Sequence, residues 1–163
     1  MYHDIDLLID FVSILQVLIV GKFSKSKGSF DLIHSFEDWI SESWEFRKTF
    51  HLIYVGEIES EWFEPLRTKF YRSTHHNLGI RVHAIGAVYS VDRMRKFYAG
   101  ADVFILNSYC EAFGRVILEA FATGVPVLAK NCGGPSEVIR NMTTGLLYNT
   151  GVSFFAYKFC YFC

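Results

Sequence analysis

Apolar residues fall along the chain in short runs separated by longer stretches of helical spacing. Residues 17–20, 52–55, 80–85, 103–106, 126–129 and 145–148 read as strands, the first two ending at Gly21 and Gly56. Between them, residues 30–44 carry Phe30, Ile33, Phe36 and Ile40 at near-helical intervals. Residues 61–71 set Phe63, Leu66 and Phe70 on one helical face. Ser90 predicts an N-cap for a helix running to about Ala99; Arg93 stands three residues on, so this is a plain cap and not a capping box. Residues 114–122 and 135–140 complete the helices.

Strand and helix in alternation predict right-handed crossovers and a parallel sheet, and strands apolar on both sides predict cover on both faces. The fold class is α/β: a Rossmann-like parallel sheet flanked by helices. The expected division is a lead-in over 1–16, the Rossmann-like domain over 17–150, and an atypical aromatic tail, GVSFFAYKFCYFC, over 151–163. Ligands of such sheets bind beyond the carboxyl ends of the strands. That draws interest to the loops 21–28, 86–90, 107–114 and 130–136.

Composition narrows the picture. A chain of 163 residues with 51% hydrophobic residues can bury a full core as one domain. A formal net charge of -1 gives non-specific nucleic-acid binding no electrostatic support. The apolar start, 5–20, is interrupted by Asp6, Asp10 and Gln16 and has neither a basic n-region nor a small-residue cleavage site. The expectation is no signal peptide and no transmembrane helix, and a place in the cytoplasm or on the cytosolic face of an internal membrane. The four cysteines form no disulfide framework. Cys110 is expected to be a small buried side chain, and Cys160-x-x-Cys163 lacks the partners of a zinc site. His83 is expected in the core; His75 and His76 are expected at an exposed helix end.

The densest chemistry lies in NSYCEAFGRVILEAFATGVPVLAKNCGGPSE, from Asn107 to Glu137. Glu111 and Glu119 stand eight positions apart with the bend at Gly114 between them, a separation of about 12 Å if all of it is helix. A sugar nucleotide presents a negative pyrophosphate, a ribose diol and a sugar rich in hydroxyls. Helix-start amides suit the phosphates, and Gly114 lets the backbone approach. Carboxylates repel phosphate but accept charge-assisted bonds from hydroxyls. The apolar neighbours Ile117, Leu118 and Phe121 argue against Glu119 as a plain solvated residue. A second element, GKFSKSKG at 21–28, offers Lys22, Lys25 and Lys27 to neutralise a pyrophosphate; it has neither P-loop order nor GxGxxG. In the third, NCGGPSE at 131–137, two glycines allow a tight turn, Pro135 suits a first helical turn, and Glu137 is expected to favour that helix start rather than to help hold the site.

Taken together, GKFSKSKG, HLIYVGE, RVHAIG, the block 101–139 and TGLLY resemble the nucleotide-binding half of GT-B retaining glycosyltransferases of family 4, over residues 17–149. The resemblance implies a glycosyltransferase moving a sugar from a UDP- or GDP-linked donor to an acceptor hydroxyl with retention, without a metal or other cofactor. It places Glu111 on the donor sugar and Glu119 on the ribose hydroxyls. It sets the amides around Phe113, Gly114, Arg115 and Val116 against sugar and phosphates, and Lys22 and Lys27 on the pyrophosphate. Gly21 joins the donor-binding set, and the strand end at Ile85 and Gly86 holds the base. Lys22 departs from the family's arginine and loses its bidentate fork. The acceptor implied is a glycan, a lipid or another hydroxyl compound. An amino-terminal acceptor domain and the helices after TGLL are expected in the family and are not found in these residues. Two alternatives stay open: a truncated non-catalytic nucleotide-sugar-binding or interaction module, and a GT-B sugar-nucleotide epimerase.

Overall fold

A computed structural model describes residues 14–42, 49–58 and 80–149. The elements run β1 (Ile14–Val20), α1 (Ser29–Glu42), β2 (Thr49–Val55), β3 (Ile80–Gly86), α2 (Val91–Ala99), β4 (Val103–Leu106), α3 (Arg115–Ala122), β5 (Val127–Lys130), α4 (Gly133–Val138) and β6 (Leu146–Tyr148). The helix expected at 61–71, the aromatic tail, His75 and His76, and the pair Cys160 and Cys163 lie outside the described residues.

All strand pairs are parallel, in the order β3-β2-β1-β4-β5-β6. This is the doubly wound order, with its switch point between β1 and β4. Alternation sorts the side chains into two cores. Val17, Ile19, Val103, Ile105 and Leu128 face α1 with Leu32, Ile33 and Phe36. Leu18, Phe104, Leu106, Val127 and Ala129 face the opposite layer with Tyr98, Ile117 and Ala120. Period two in the strands and period 3.6 in the helices explain both sets.

The local signals hold with small shifts. The Ser90 hydroxyl accepts from the Arg93 amide at 3.4 Å, as a cap should. β4 has the expected bounds. β1 begins at Ile14, three residues earlier than expected, because Gln16 lies exposed at the entering end of the sheet and its amide donates to Asp102 at 2.6 Å. A polar residue there interrupts the apolar run without ending the strand. α4 begins at Gly133 rather than Pro135, and Gly133 itself, at φ 42°, lies in the left-handed region, so the double glycine turns the chain into the helix.

Two expectations of burial fail. His83 is exposed, not core: β3 is the sheet's edge, and the ring lies 3.3 Å from that of His51 on β2. Cys110 is exposed as well, because it sits in the loop beyond β4 and not in a strand. Among the described residues no helix is long and apolar enough to cross a membrane.

Candidate functional site

β1 and β4 part at the switch point, and their loops carry opposite charges. The loop after β1 folds back on itself: Gly28 N donates to Lys25 O at 2.9 Å, and Ser24 N to Ser29 Oγ at 3.2 Å. This aims Lys27 across the gap. Its Nζ lies 2.7 Å from Oε2 of Glu111, whose loop follows β4. The side chains are 35% and 19% exposed, so water reaches the pair. A half-exposed ion pair contributes no more than about 1 kcal/mol, little enough for an incoming ligand to replace. Ser108 Oγ lies 3.5 Å from the same oxygen.

Polar bonds, those of Asn107 buried, hold the two loops together. Asn107, 5% exposed, is the first residue after β4. Its Nδ2 donates to Gly28 O at 2.7 Å, and its Oδ1 accepts from the hydroxyl of Tyr148 on β6. Tyr109 N donates to Ser26 O at 3.1 Å, and the Tyr109 hydroxyl donates to Asp31 on α1. Lys130 Nζ lies 3.6 Å from the centre of the Tyr109 ring, a cation–π contact.

The double glycine supports this acidic loop from below. Gly134 N donates to Glu111 O at 2.8 Å. A Cβ on Gly134 would stand 2.4 Å from the Phe113 Cα, so only glycine allows the approach. Gly114 then turns the chain into α3 with φ 81° and ψ 51°, the left-handed region that favours glycine. Gly114 is buried, Val116 half-buried, Arg115 exposed and Phe113 52% exposed, so the start of α3 opens beside the Lys27–Glu111 pair.

Glu119 lies one turn further along α3. It is exposed, contrary to the inference from Ile117, Leu118 and Phe121. Residues adjacent in a helix point different ways: Ile117 is fully buried and Leu118 is 44% exposed. The Glu119 carboxylate is nevertheless held, because Oε2 accepts from the Tyr98 hydroxyl of α2 at 2.9 Å. Burial, then the Glu119 charge, raises Tyr98 far above the usual phenol range.

The remaining expected residues line the other side. Gly21, Gly56 and Gly86 end β1, β2 and β3, joined by Gly21 N to Val55 O at 2.9 Å and Gly56 N to Gly86 O at 3.0 Å. Register slips between Tyr54 and Val55, so Ile85 bulges out of β3 and is 39% exposed. Lys22 is exposed just after Gly21. The structure thus joins Lys27 to Glu111 directly and sets Gly114 beside them. Glu119 is held by a separate partner, and Ile85 and Gly86 lie across β2 and β1. Asn107, Tyr98 and Tyr148 were not singled out in the sequence. A polar residue breaking the run VFILN was the available signal for Asn107. Among the described residues no group of three or more His, Cys, Asp or Glu side chains could hold a metal ion.

Strand order and switch-point loops define a Rossmann-like domain of the GT-B glycosyltransferase class. The chain belongs to the family Glycosyl transferases group 1, which it matches over residues 14–155. It is 35% identical over 133 residues to the D-inositol 3-phosphate glycosyltransferase of Acidothermus cellulolyticus, covering 80% of this chain and 29% of that protein. Spore coat protein SA of Bacillus subtilis is 33% identical over 136 residues, 80% of this chain and 34% of that one. Anabaena Alr3699/HepE in complex with UDP-glucose superposes with a TM-score of 0.64 at 27% identity, over 89% of this chain and 38% of that chain. Sucrose-phosphate synthase of Thermosynechococcus elongatus, at 24% identity and a TM-score of 0.70 over 90% of this chain and 36% of its own, shares the fold. The chain spans about a third of the length of the curated relatives it matches.

Proposed function

We propose that this chain is the donor-binding half of a retaining glycosyltransferase of family 4. It would hold a UDP- or GDP-linked sugar at the switch point for transfer to a hydroxyl of a glycan, a lipid or another acceptor. The observation that carries this reading is the 2.7 Å Lys27–Glu111 contact across the gap between β1 and β4. It puts a cation for diphosphate beside a carboxylate for hydroxyls, at the place where doubly wound sheets take ligands. HepE, a structural neighbour, is described in complex with UDP-glucose, a molecule with both groups.

In this reading the bound donor exchanges the pair. Lys27 turns to the diphosphate with Lys22, and Glu111 accepts from the sugar hydroxyls. Amides of residues 113–116 and the start of α3 add fixed dipoles to the phosphate side. Glu119 takes the ribose hydroxyls, and Gly21, Ile85 and Gly86 take the base side. In the transfer, the bond from the anomeric carbon to the diphosphate breaks as the acceptor hydroxyl oxygen bonds that carbon from the same face, its proton passing to the departing diphosphate. Charge grows on the departing diphosphate, where the lysines and helix start stabilise it.

Calorimetric titration of the full chain with UDP-glucose and GDP-mannose tests the reading. Binding of one of them is expected, weakened about tenfold or more in Glu111→Gln and in Lys27→Ala, the loss of one charge-assisted contact. Unchanged affinity in both variants would refute it.

A further inference from the structure

Tyr98 lies at the end of α2, 2% exposed, with its ring edge-on to Phe104 of β4 at 5.7 Å between centroids. That packing fixes the ring, and the ring fixes the hydroxyl oxygen. The oxygen stands 2.9 Å from Glu119 Oε2 and 3.3 Å from the Val116 carbonyl oxygen. An exposed glutamate on a helix samples several rotamers, and ordering it costs entropy. A donor anchored in the core selects one of them in advance. It occupies one carboxylate oxygen and leaves Oε1, with the remaining lone pair of Oε2, to accept from two adjacent hydroxyls. A phenol keeps its proton at neutral pH, and burial and the facing carboxylate raise this one further, so the hydroxyl stays a donor into alkaline solution.

We infer that Tyr98 is a positioning residue that presets Glu119 for a vicinal diol and so makes the site prefer a ribonucleotide over its 2′-deoxy counterpart. This rests on the proposed assignment of Glu119 to the ribose hydroxyls. A tyrosine that only ties α2 to α3 would affect both nucleotides alike.

The test is calorimetry on the full chain with UDP, GDP and their 2′-deoxy forms. Tyr98→Phe keeps the ring and its packing and removes only the hydroxyl. The wild-type chain is expected to bind its preferred ribonucleotide about tenfold more tightly than the deoxy form, the worth of one charge-assisted contact. In Tyr98→Phe that preference should fall to about threefold or less, with affinity for the deoxy form within about twofold of wild type. Glu119→Ala should abolish the preference, and adding Tyr98→Phe to it should change nothing more. If Tyr98→Phe leaves the ratio intact while Glu119→Ala abolishes it, Tyr98 is structural only and the proposed function stands. If the wild-type chain binds neither nucleotide, or binds both forms equally, the assignment of Glu119 fails and this inference with it.

Discussion

The two sides of the switch point are built differently. On the β4–β5–β6 side, particular side chains lock the backbone: the Asn107 amide clamps Gly28 and Tyr148, and the Gly133-Gly134 turn seats the Glu111 loop. On the β1–β2–β3 side, Gly21, Gly56 and Gly86 continue the sheet through main-chain bonds to an exposed edge. The proposed roles follow this difference. The carboxylate of Glu111 stands on the rigid side, and the Asn107 bond to Gly28 ties the lysine loop after β1 to it. A flat base, recognised through main chain, gets the plainer one.

The contrast can be broken most forcefully at Gly134. Gly134→Ala drives a Cβ into the Phe113 backbone, which cannot yield as a side chain would. A loss of about 3 kcal/mol is expected from the urea midpoint. A loss below about 1 kcal/mol would show that the acidic loop is not rigidly seated.

Asn107→Ala is next. It removes two buried hydrogen bonds, one to Gly28 O and one from the Tyr148 hydroxyl, at a cost of about 2 kcal/mol. On the other side, His83→Ala removes an exposed side chain and should stay within about 0.5 kcal/mol of wild type by the same measurement. Equal effects would erase the distinction between the sides.

Lys27→Ala should move stability by no more than about 1 kcal/mol, since its ion pair is open to water. It should still weaken UDP about tenfold or more while leaving uridine, which has no phosphate, unchanged. A parallel loss of uridine binding would mean that the loop had changed shape rather than lost a charge.

Alkaline pH should not separate the two sides. Burial pushes Tyr54 on β2 up to about 12 from the ordinary 10.0, the Ser29 bond pulling slightly the other way. Burial raises Tyr148 on β6 as well. In the unfolded chain these phenols ionise near the ordinary value, so between there and about 12 the unfolded state holds fewer protons. Their contribution is complete below about pH 10 and is lost as pH rises through the folded values. Thermal melts should fall above that pH, less steeply in Tyr54→Phe.

Much of this was legible in the sequence. Apolar runs located every described strand, and β4 had its exact bounds, because four consecutive buried residues leave no ambiguity. The glycine bend and the two acidic positions were visible as residue types at a spacing. Strand order was not visible, since it depends on which way each crossover turns. For the same reason His83 read as core: the sequence of β3 does not say that β3 is the edge. Glu119 read as crowded because its chain neighbours are apolar, although a helix points neighbours apart. Its actual partner, Tyr98, is 21 residues away and meets it only because α2 and α3 pack on one face of the sheet. The Lys27–Glu111 contact spans 84 residues and exists only because β4 pairs with β1.

The most direct measurement is a crystal structure of the full chain with UDP-glucose bound. The account predicts diphosphate oxygens within hydrogen-bonding reach of Lys27 Nζ, and the Glu111 carboxylate turned from Lys27 to hydroxyls of the sugar. A bound nucleotide lying away from the β1–β4 gap, with Lys27 and Glu111 still paired, would contradict it.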